Sequence, residues 1–357
     1  MSIFARSPYI VEISETGQTG SKILLYLWNG SGSAPSEPTY TLSKLIPASN
    51  NIKTYYNLSP YIREYISWNV RQRPYNTFSI SQDSQWCNVK IQKFKLSGGS
   101  YYQVGSDITL RAFDGFGYYE EGYNPTLTYD ILHDQGTYNY VYDSTKDPST
   151  ELDYTAGFIM TRTGTGYKAK YTNLNTGSSY INNLTNNSLI DVLRVHPSFY
   201  STGNKLEILN NSNTVLWTAT FKPYLNCKYE PVLCDFVNRY GCWQRTWFFA
   251  VSNDTFSIEN TEYNLMQSSF PNYNKLEGQR KIFNTTAKKS IKVNTDWVEE
   301  FYKELLKQLM ASEKILINNY PAKINTKSVE LFKSINTKMI NYQLEFEFAY
   351  NAINNVI

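Results

Sequence analysis

Tyr342-Gln-Leu-Glu-Phe-Glu-Phe-Ala-Tyr350, the end of a run that begins at Met339, places an aromatic or aliphatic residue at every second position. A period of two sends alternate side chains to opposite faces of a strand. Tyr342, Leu344, Phe346, Phe348 and Tyr350 therefore face a core, while Gln343, Glu345, Glu347 and Ala349 face outward. Working back along the chain, Lys314–Ile317, Ala322–Ile324 and Val329–Phe332 read as further short strands, and Lys289–Val293 as another. Between them Asp296–Ala311 carries apolar pairs every four residues, Trp297/Val298, Phe301/Tyr302, Leu305/Leu306 and Leu309/Met310, which is one stripe of a helix. Asp296 suits its N-terminus, with Glu299 three residues on as a capping-box partner. Pro231–Val237, the turn Asn238-Arg-Tyr-Gly241 and Cys242–Val251 read as a hairpin, followed by a polar stretch to about Gln279. Residues 226–357 are thus expected to form an α+β domain.

Short strands separated by polar turns continue upstream. Tyr138–Tyr142, Phe158–Arg162, Gly166–Tyr171, Leu189–Arg194 and Val215–Lys222 suggest a β-sandwich-like domain over 126–225. Residues 1–125 read as a β-rich domain with strands at Tyr9–Ser14, Lys22–Asn29, Thr39–Leu45, Asn88–Leu96 and Tyr102–Phe113. One short helix is expected at Leu58–Ile66, with Ser59 as N-cap and Pro60 at the first helical position. The fold class expected is mainly β with an α+β C-terminal domain. Asp114-Gly-Phe-Gly-Tyr-Tyr-Glu-Glu-Gly-Tyr-Asn-Pro125 is a glycine-rich aromatic loop, and Phe116, Tyr118, Tyr119 and Tyr123 are candidate contact residues on it.

Of the 357 residues, 16% are aromatic, 31 of them tyrosine, and only 18% are charged. That balance excludes a disordered chain and favours contact surfaces, because tyrosine buries a large ring and keeps a polar tip. A net charge of +3 from 34 basic and 31 acidic residues gives no concentrated field for nucleic acid. Met1-Ser-Ile-Phe-Ala-Arg has no basic start followed by an apolar run, and no run is long enough to span a membrane, so a soluble chain made in a cytoplasm is expected.

Chemistry is sparse. Cys87, Cys227, Cys234 and Cys242 lack C-x-x-C spacing, and the hairpin geometry keeps Cys234 and Cys242 apart, so free buried thiols are expected. His133 and His196 belong to no metal-binding spacing. Thr163-Gly-Thr-Gly166 lacks the lysine of a phosphate loop and reads as a hairpin turn. Glu120 and Glu121 could pair with Asp114 in a carbohydrate-cleaving site, although loop acids are usually just solvated. No catalytic, cofactor-binding or metal-ligating residue is assigned; the chain is expected to be no enzyme and to use no cofactor.

Phe236-Val-Asn-Arg-Tyr-Gly241, followed by the aromatic strand Cys242-Trp-Gln-Arg-Thr-Trp-Phe-Phe249, resembles a pattern in structural proteins of tailed phages of Bacteroidetes hosts, the crAss-like phages among them. Phe4-Ala-Arg-Ser-Pro-Tyr-Ile10 and Leu58-Ser-Pro-Tyr-Ile62 are similar to those proteins too, as is Val293-Asn-Thr-Asp-Trp297 leading into Leu306–Glu313. The resemblance implies a virion protein of neck, tail or baseplate, built as a homo-oligomeric ring around the DNA channel, with on the order of six or twelve copies. It also implies neighbouring neck or tail proteins as partners, non-specific contact with DNA in the channel, no membrane, and a C-terminal helix-on-sheet domain like those of tail tubes. Arg239, Tyr240, Trp243 and Trp247 join the loop aromatics as candidate assembly contacts. A receptor- or glycan-binding tail tip, using Phe116, Tyr118 and Tyr119 to stack on sugars, is the alternative.

Overall fold

The computed structural model describes residues 2–30, 32–47, 53–67, 78–80, 85–127, 131–145, 157–161, 166–184, 190–224, 228–266, 271–272, 274–330 and 339–353. Among them the chain is mainly β, and it divides into two compact units. The first is Met1–Leu225 with Phe236–Thr246; the second is Asn226–Asp235 with Trp247–Ile357.

In the first unit the chain runs β1 (Ser2–Phe4), β2 (Ile10–Ser14), β3 (Gly20–Trp28), β4 (Tyr40–Leu45), β5 (Lys53–Asn57), α1 (Ser59–Tyr65), β6 (Phe78–Ile80), β7 (Trp86–Ser97), β8 (Ser100–Gln103) and β9 (Ile108–Phe113). The order β1-β9-β7-β3-β4, with β8 beside β7, makes a six-stranded sheet. Its core follows from alternation: Ile23, Leu25 and Leu27 of β3 and Val89 and Ile91 of β7 are buried, as are Ile13 of β2 and Ile62 of α1. Each such side chain contributes about 1.5–3 kcal/mol when removed from water. A buried hydroxyl chain satisfies the polar groups beneath β3: Ser21 Oγ lies 2.6 Å from Thr54 Oγ1 and 2.7 Å from Tyr56 OH.

The same unit continues with β10 (Gly136–Val141), β11 (Gly157–Thr161), β12 (Lys168–Asn173), β13 (Ser179–Asn183), β14 (Ile190–Arg194), β15 (Asn204–Leu209) and β16 (Val215–Tyr224). They form a five-stranded sheet, β10-β16-β15-β12-β13, and a three-stranded one, β11-β14-β6. Tyr140, Tyr171, Leu206 and Phe221 are buried on the former.

Past these come β17 (Val232–Val237), β18 (Trp243–Phe248), β19 (Asn253–Asn264), β20 (Arg280–Asn294), β21 (Val298–Glu299), α2 (Tyr302–Met310), β22 (Ile315–Ile317), β23 (Tyr320–Ile324), β24 (Met339–Ile340) and β25 (Gln343–Phe348). A seven-stranded sheet has the order β18-β17-β22-β23-β25-β20-β19. In β25 the expected alternation is present, with Leu344, Phe346 and Phe348 buried and Phe346 6.0 Å from Phe248 between ring centroids, but the run from Met339 is split into β24 and β25, and Tyr350 lies beyond the strand and is exposed.

Several local expectations need correction. The helix expected from Asp296 starts only at Tyr302, because Asp296 sits at φ +63 and Val298–Glu299 pairs with Met339–Ile340 instead. Positive φ is incompatible with a helical start, so the capping box does not form. Ser59 is not the N-cap of α1; Leu58 is, without a side-chain bond. The Ser59 hydroxyl instead donates to Ser7 O at 2.5 Å and accepts from Tyr9 N at 2.9 Å. Tyr102–Phe113 splits into β8 and β9, and Val329 and Glu330 lie in no strand, while residues 331–332 fall outside the described part. The polar stretch to Gln279 contains a twelve-residue strand, β19. Three of the four cysteines, Cys87, Cys234 and Cys242, are free and buried, and burial pushes the Cys87 thiol up to about 12; Cys227 lies outside the described residues. So does Thr163-Gly-Thr165.

Candidate functional site

The turn Asn238–Gly241 is held from within. Asn238 N donates to Cys242 O at 2.9 Å and Gly241 N to Asn238 O at 3.0 Å, with Gly241 at φ +80. Asn238 is fully buried, so its amide needs internal partners. Its Nδ2 donates to Leu132 O at 3.1 Å and Gln244 Oε1 at 3.0 Å, and its Oδ1 accepts from Tyr240 N at 3.0 Å and Cys242 N at 3.2 Å. Cys242 Sγ donates to the same Leu132 carbonyl at 3.0 Å. Tyr240 packs with Phe4, Trp86, Phe113, Leu132 and Cys242 in one buried cluster, and its hydroxyl donates to Asp134. Burial, then the Asp134 charge, raises the Tyr240 phenol above its ordinary value.

The aromatic loop after β9 lies against this turn, backbone to backbone. Phe116 N donates to Arg239 O at 2.7 Å. A Cβ on Gly115 would stand 2.5 Å from Arg239 O, and one on Gly241 would stand 2.6 Å from Asp114 N, so glycine is required on both sides. Arg239 is the clamp. Its guanidinium lies 5.0 Å from the Tyr118 ring centre and 4.9 Å from that of Tyr240, and Nη2 reaches Glu121 Oε1 at 2.8 Å. Burial alone would lower its affinity for a proton, but Tyr240, Glu121 and Asp134 outweigh that and raise it above the ordinary value. Glu121 also accepts from Tyr118 N at 2.9 Å through its second carboxylate oxygen.

The N-terminal segment and α1 complete the assembly. Arg6 N donates to Gly115 O at 2.8 Å, Gly117 N donates to Ser7 Oγ at 2.8 Å, and the Arg6 guanidinium sits 4.9 Å from the Phe116 ring centre. Ser59 holds Ser7 as described above, and Arg63 Nε pairs with Asp114 Oδ1 at 3.0 Å. The segments Phe4–Ile10 and Phe236–Gly241, far apart in sequence, therefore meet on one loop inside the first unit, and Leu58–Ile62 joins them through Ser59 to Ser7 and Tyr9, with its neighbour Arg63 on Asp114.

Among the sequence-assigned residues, Phe116, Tyr118, Arg239 and Tyr240 come together in this knot. Tyr119 and Tyr123 stand on the same loop but outside it, 97% and 74% exposed. Trp243 is half-buried, and Trp247, in the second unit, is buried. The loop acids are divided: Asp114 and Glu121 are committed to arginine pairs, and Glu120 is exposed. Both histidines are packed into aromatic surroundings. His133 lies 4.7 Å from Tyr138 and 6.0 Å from Trp217 between ring centroids, and His196 lies 4.5 Å from Tyr180 while its Nδ1 accepts from Ser198 N at 3.2 Å. Among the described residues no three His, Cys, Asp or Glu side chains converge as a metal-binding group, and no helix is long and apolar enough to cross a membrane.

Sequence reasoning missed β19, where all twelve residues are exposed, Phe256 and Ile258 among them. The signal available was weak, because a strand with no buried face carries no alternation imposed by a core. Comparison with family models, with curated proteins and with solved structures finds no match to this chain.

Proposed function

We propose that the chain is a structural subunit of a tailed-phage virion, a ring-forming component of neck, tail or baseplate around the DNA channel that works by contact rather than catalysis. The observation that carries the reading is the convergence just described. Three of the sequence segments that resemble phage structural proteins meet in one hydrogen-bonded, partly buried knot, which supports reading the resemblance as a shared piece of architecture rather than scattered coincidences. The near-neutral charge, the aromatic excess and the commitment of Asp114, Glu121 and Arg239 to internal pairing support an assembly role. Within this reading the second unit is an α+β, tube-like domain and the first holds sandwich-like β-sheets, its partners are copies of itself and adjacent neck or tail proteins, and it resides in the virion. Purified particles examined by cryo-microscopy are expected to contain the chain as a symmetric ring. Particles that lack it entirely would sink the proposal.

The exposure of Tyr119 and Tyr123 favours a second reading, a receptor- or glycan-binding tip, because rings held clear of the surface can stack on sugar faces. Tyr119→Ala with Tyr123→Ala distinguishes the two. Lost adsorption with intact particles supports the tip; failed assembly supports the ring.

A further inference from the structure

We infer that β19 and β20 form an arm that joins one copy of the chain to the next, edge to edge and head to tail. The inference rests on the reading of the chain as a self-assembling subunit and goes further by naming the surface. Asn253–Asn264 pairs with Arg280–Lys292 as a long antiparallel ribbon, with a bulge at the step Thr261/Glu262 that leaves Phe283 without a partner across the ladder. β19 ends the sheet order, so its outer edge has no strand beside it among the described residues. β20 is paired by β25 only over Ser290–Asn294, and Ala352 N reaches Ala287 O at 2.8 Å, so the outer edge of Arg280–Asn284 also has no neighbouring strand among them. The ribbon therefore offers two backbone edges at its far half. It also exposes Phe256, Ile258, Ile282 and Phe283 at 57%, 56%, 59% and 76%, far from what a solvated arm requires.

Charge decides which edges meet. β19 carries Asp254, Glu259 and Glu262 and no cation; β20 carries Arg280, Lys281, Lys288, Lys289 and Lys292 and no acid. Inside the chain Lys288 pairs with Glu259 at 3.1 Å and Lys289 with Asp254 at 2.9 Å. Among the described residues no ion pair engages Glu262, Arg280 or Lys281. Two β19 edges brought together would juxtapose like charges, which rejects a two-fold dimer through this strand. A β19 edge against the β20 edge of a second copy joins opposite charges instead. Register agrees. Glu262 stands opposite Ile282, and Tyr263 opposite Lys281, within one ribbon. A second ribbon in the same orientation, antiparallel to β19, sets its Ile282 level with Glu262 and its Arg280 two residues along on the same face, within diagonal reach of a long side chain, while Lys281 stands beside Tyr263. Repetition of one heterologous contact generates a ring when the rotation closes.

The test uses the full chain, with mass photometry and light scattering on Glu262→Lys and on Arg280→Glu/Lys281→Glu. The wild type is expected to self-associate, and each variant to need about tenfold more protein to do so. Mixing the two variants is expected to restore association, since the lysine-bearing β19 of one then meets the acidic β20 of the other. Thermal unfolding is expected to stay unchanged, because all three side chains are exposed. A wild-type chain that stays monomeric, variants that associate like wild type, an effect confined to Glu262→Lys, or no rescue on mixing each overturns the arm. None of these touches the ring proposal, which stands or falls on the composition of the particle.

Discussion

Gly241→Ala tests whether the Asn238–Gly241 turn and the aromatic loop are locked together. Gly241 has φ +80, where an L side chain costs about 1–2 kcal/mol for conformation alone. Its new Cβ would also lie 2.6 Å from Asp114 N and 2.7 Å from Gly115 N, well inside contact distance, so the backbones must part. Parting strains the bonds that fix the loop, chiefly Phe116 N to Arg239 O at 2.7 Å and Arg6 N to Gly115 O at 2.8 Å. With each such bond worth about 1 kcal/mol, the total loss is about 3–4 kcal/mol. Gly17→Ala is the control, because Gly17 has φ +71 with nothing within 4 Å of its Cβ position, and should lose only the conformational part, about 1–2 kcal/mol. Urea unfolding of the full chain reads both as midpoint shifts at constant slope. Equal losses for the two variants, within about 0.5 kcal/mol, would refute the locked arrangement.

Asn238→Ala removes five hydrogen bonds from a fully buried site and is expected to cost about 3 kcal/mol or more by the same unfolding assay. Arg239→Lys keeps the charge but loses the planar contact with Tyr118 and Tyr240; hydrogen exchange over 116–122 should accelerate several-fold while the rest of the unit stays protected. Tyr119→Ala with Tyr123→Ala should change stability by less than about 0.5 kcal/mol, since both rings are exposed, and a larger loss would show that the loop tip is packed. Burial lowers the His133 imidazole below its ordinary value of 6.5, outweighing the Asp134 carbonyl contact and the Asp134 charge. The unfolded chain therefore takes up a proton there that the folded one refuses, so stability is complete above about pH 6.5 and falls as pH drops below it. His133→Gln should flatten that fall between about pH 6.5 and 5, and an unchanged slope would place the proton uptake elsewhere.

Strands with one buried face were legible because burial writes itself as alternation. β25 shows it plainly, and β2, β3, β7 and β16 lie within a few residues of where the pattern puts them. Where alternation and local preference disagreed with tertiary pairing, the sequence misled. The apolar pair Trp297/Val298 extends the helical stripe of α2 backward, yet Val298 is drawn into a bridge with Ile340, and the helix loses its first turn and a half. β19 was illegible for the opposite reason: with every side chain exposed, no core imposes a pattern. Its strand character comes from the backbone ladder to β20 alone, a pairing across a connection of some fifteen residues that composition does not announce. At the candidate site, residue types were visible but their roles were not. Arg239 and Tyr240 look like a contact pair from their chemistry, and only the position of Asp114–Phe116 reveals that they face inward.

That inward orientation separates two kinds of work. A side chain already engaged by its own chain cannot also recognise a partner without first breaking what holds it. Arg239, with Glu121, Tyr118 and Tyr240 around it, would have to leave an ion pair and two ring contacts to bind elsewhere. Under the proposed readings the knot would present the loop in a fixed pose, and recognition would fall to groups that are already exposed: Tyr119 and Tyr123 on that loop, and the edges and exposed apolar side chains of the β19–β20 ribbon. A rigid clamp under an exposed tip lowers the ordering cost of whatever contact the tip makes. Disrupting the knot by Asn238→Ala should for this reason weaken contacts made by Tyr119 and Tyr123 while leaving ribbon-mediated association of the chain unchanged, and a loss of both together would show that the two surfaces are not independent.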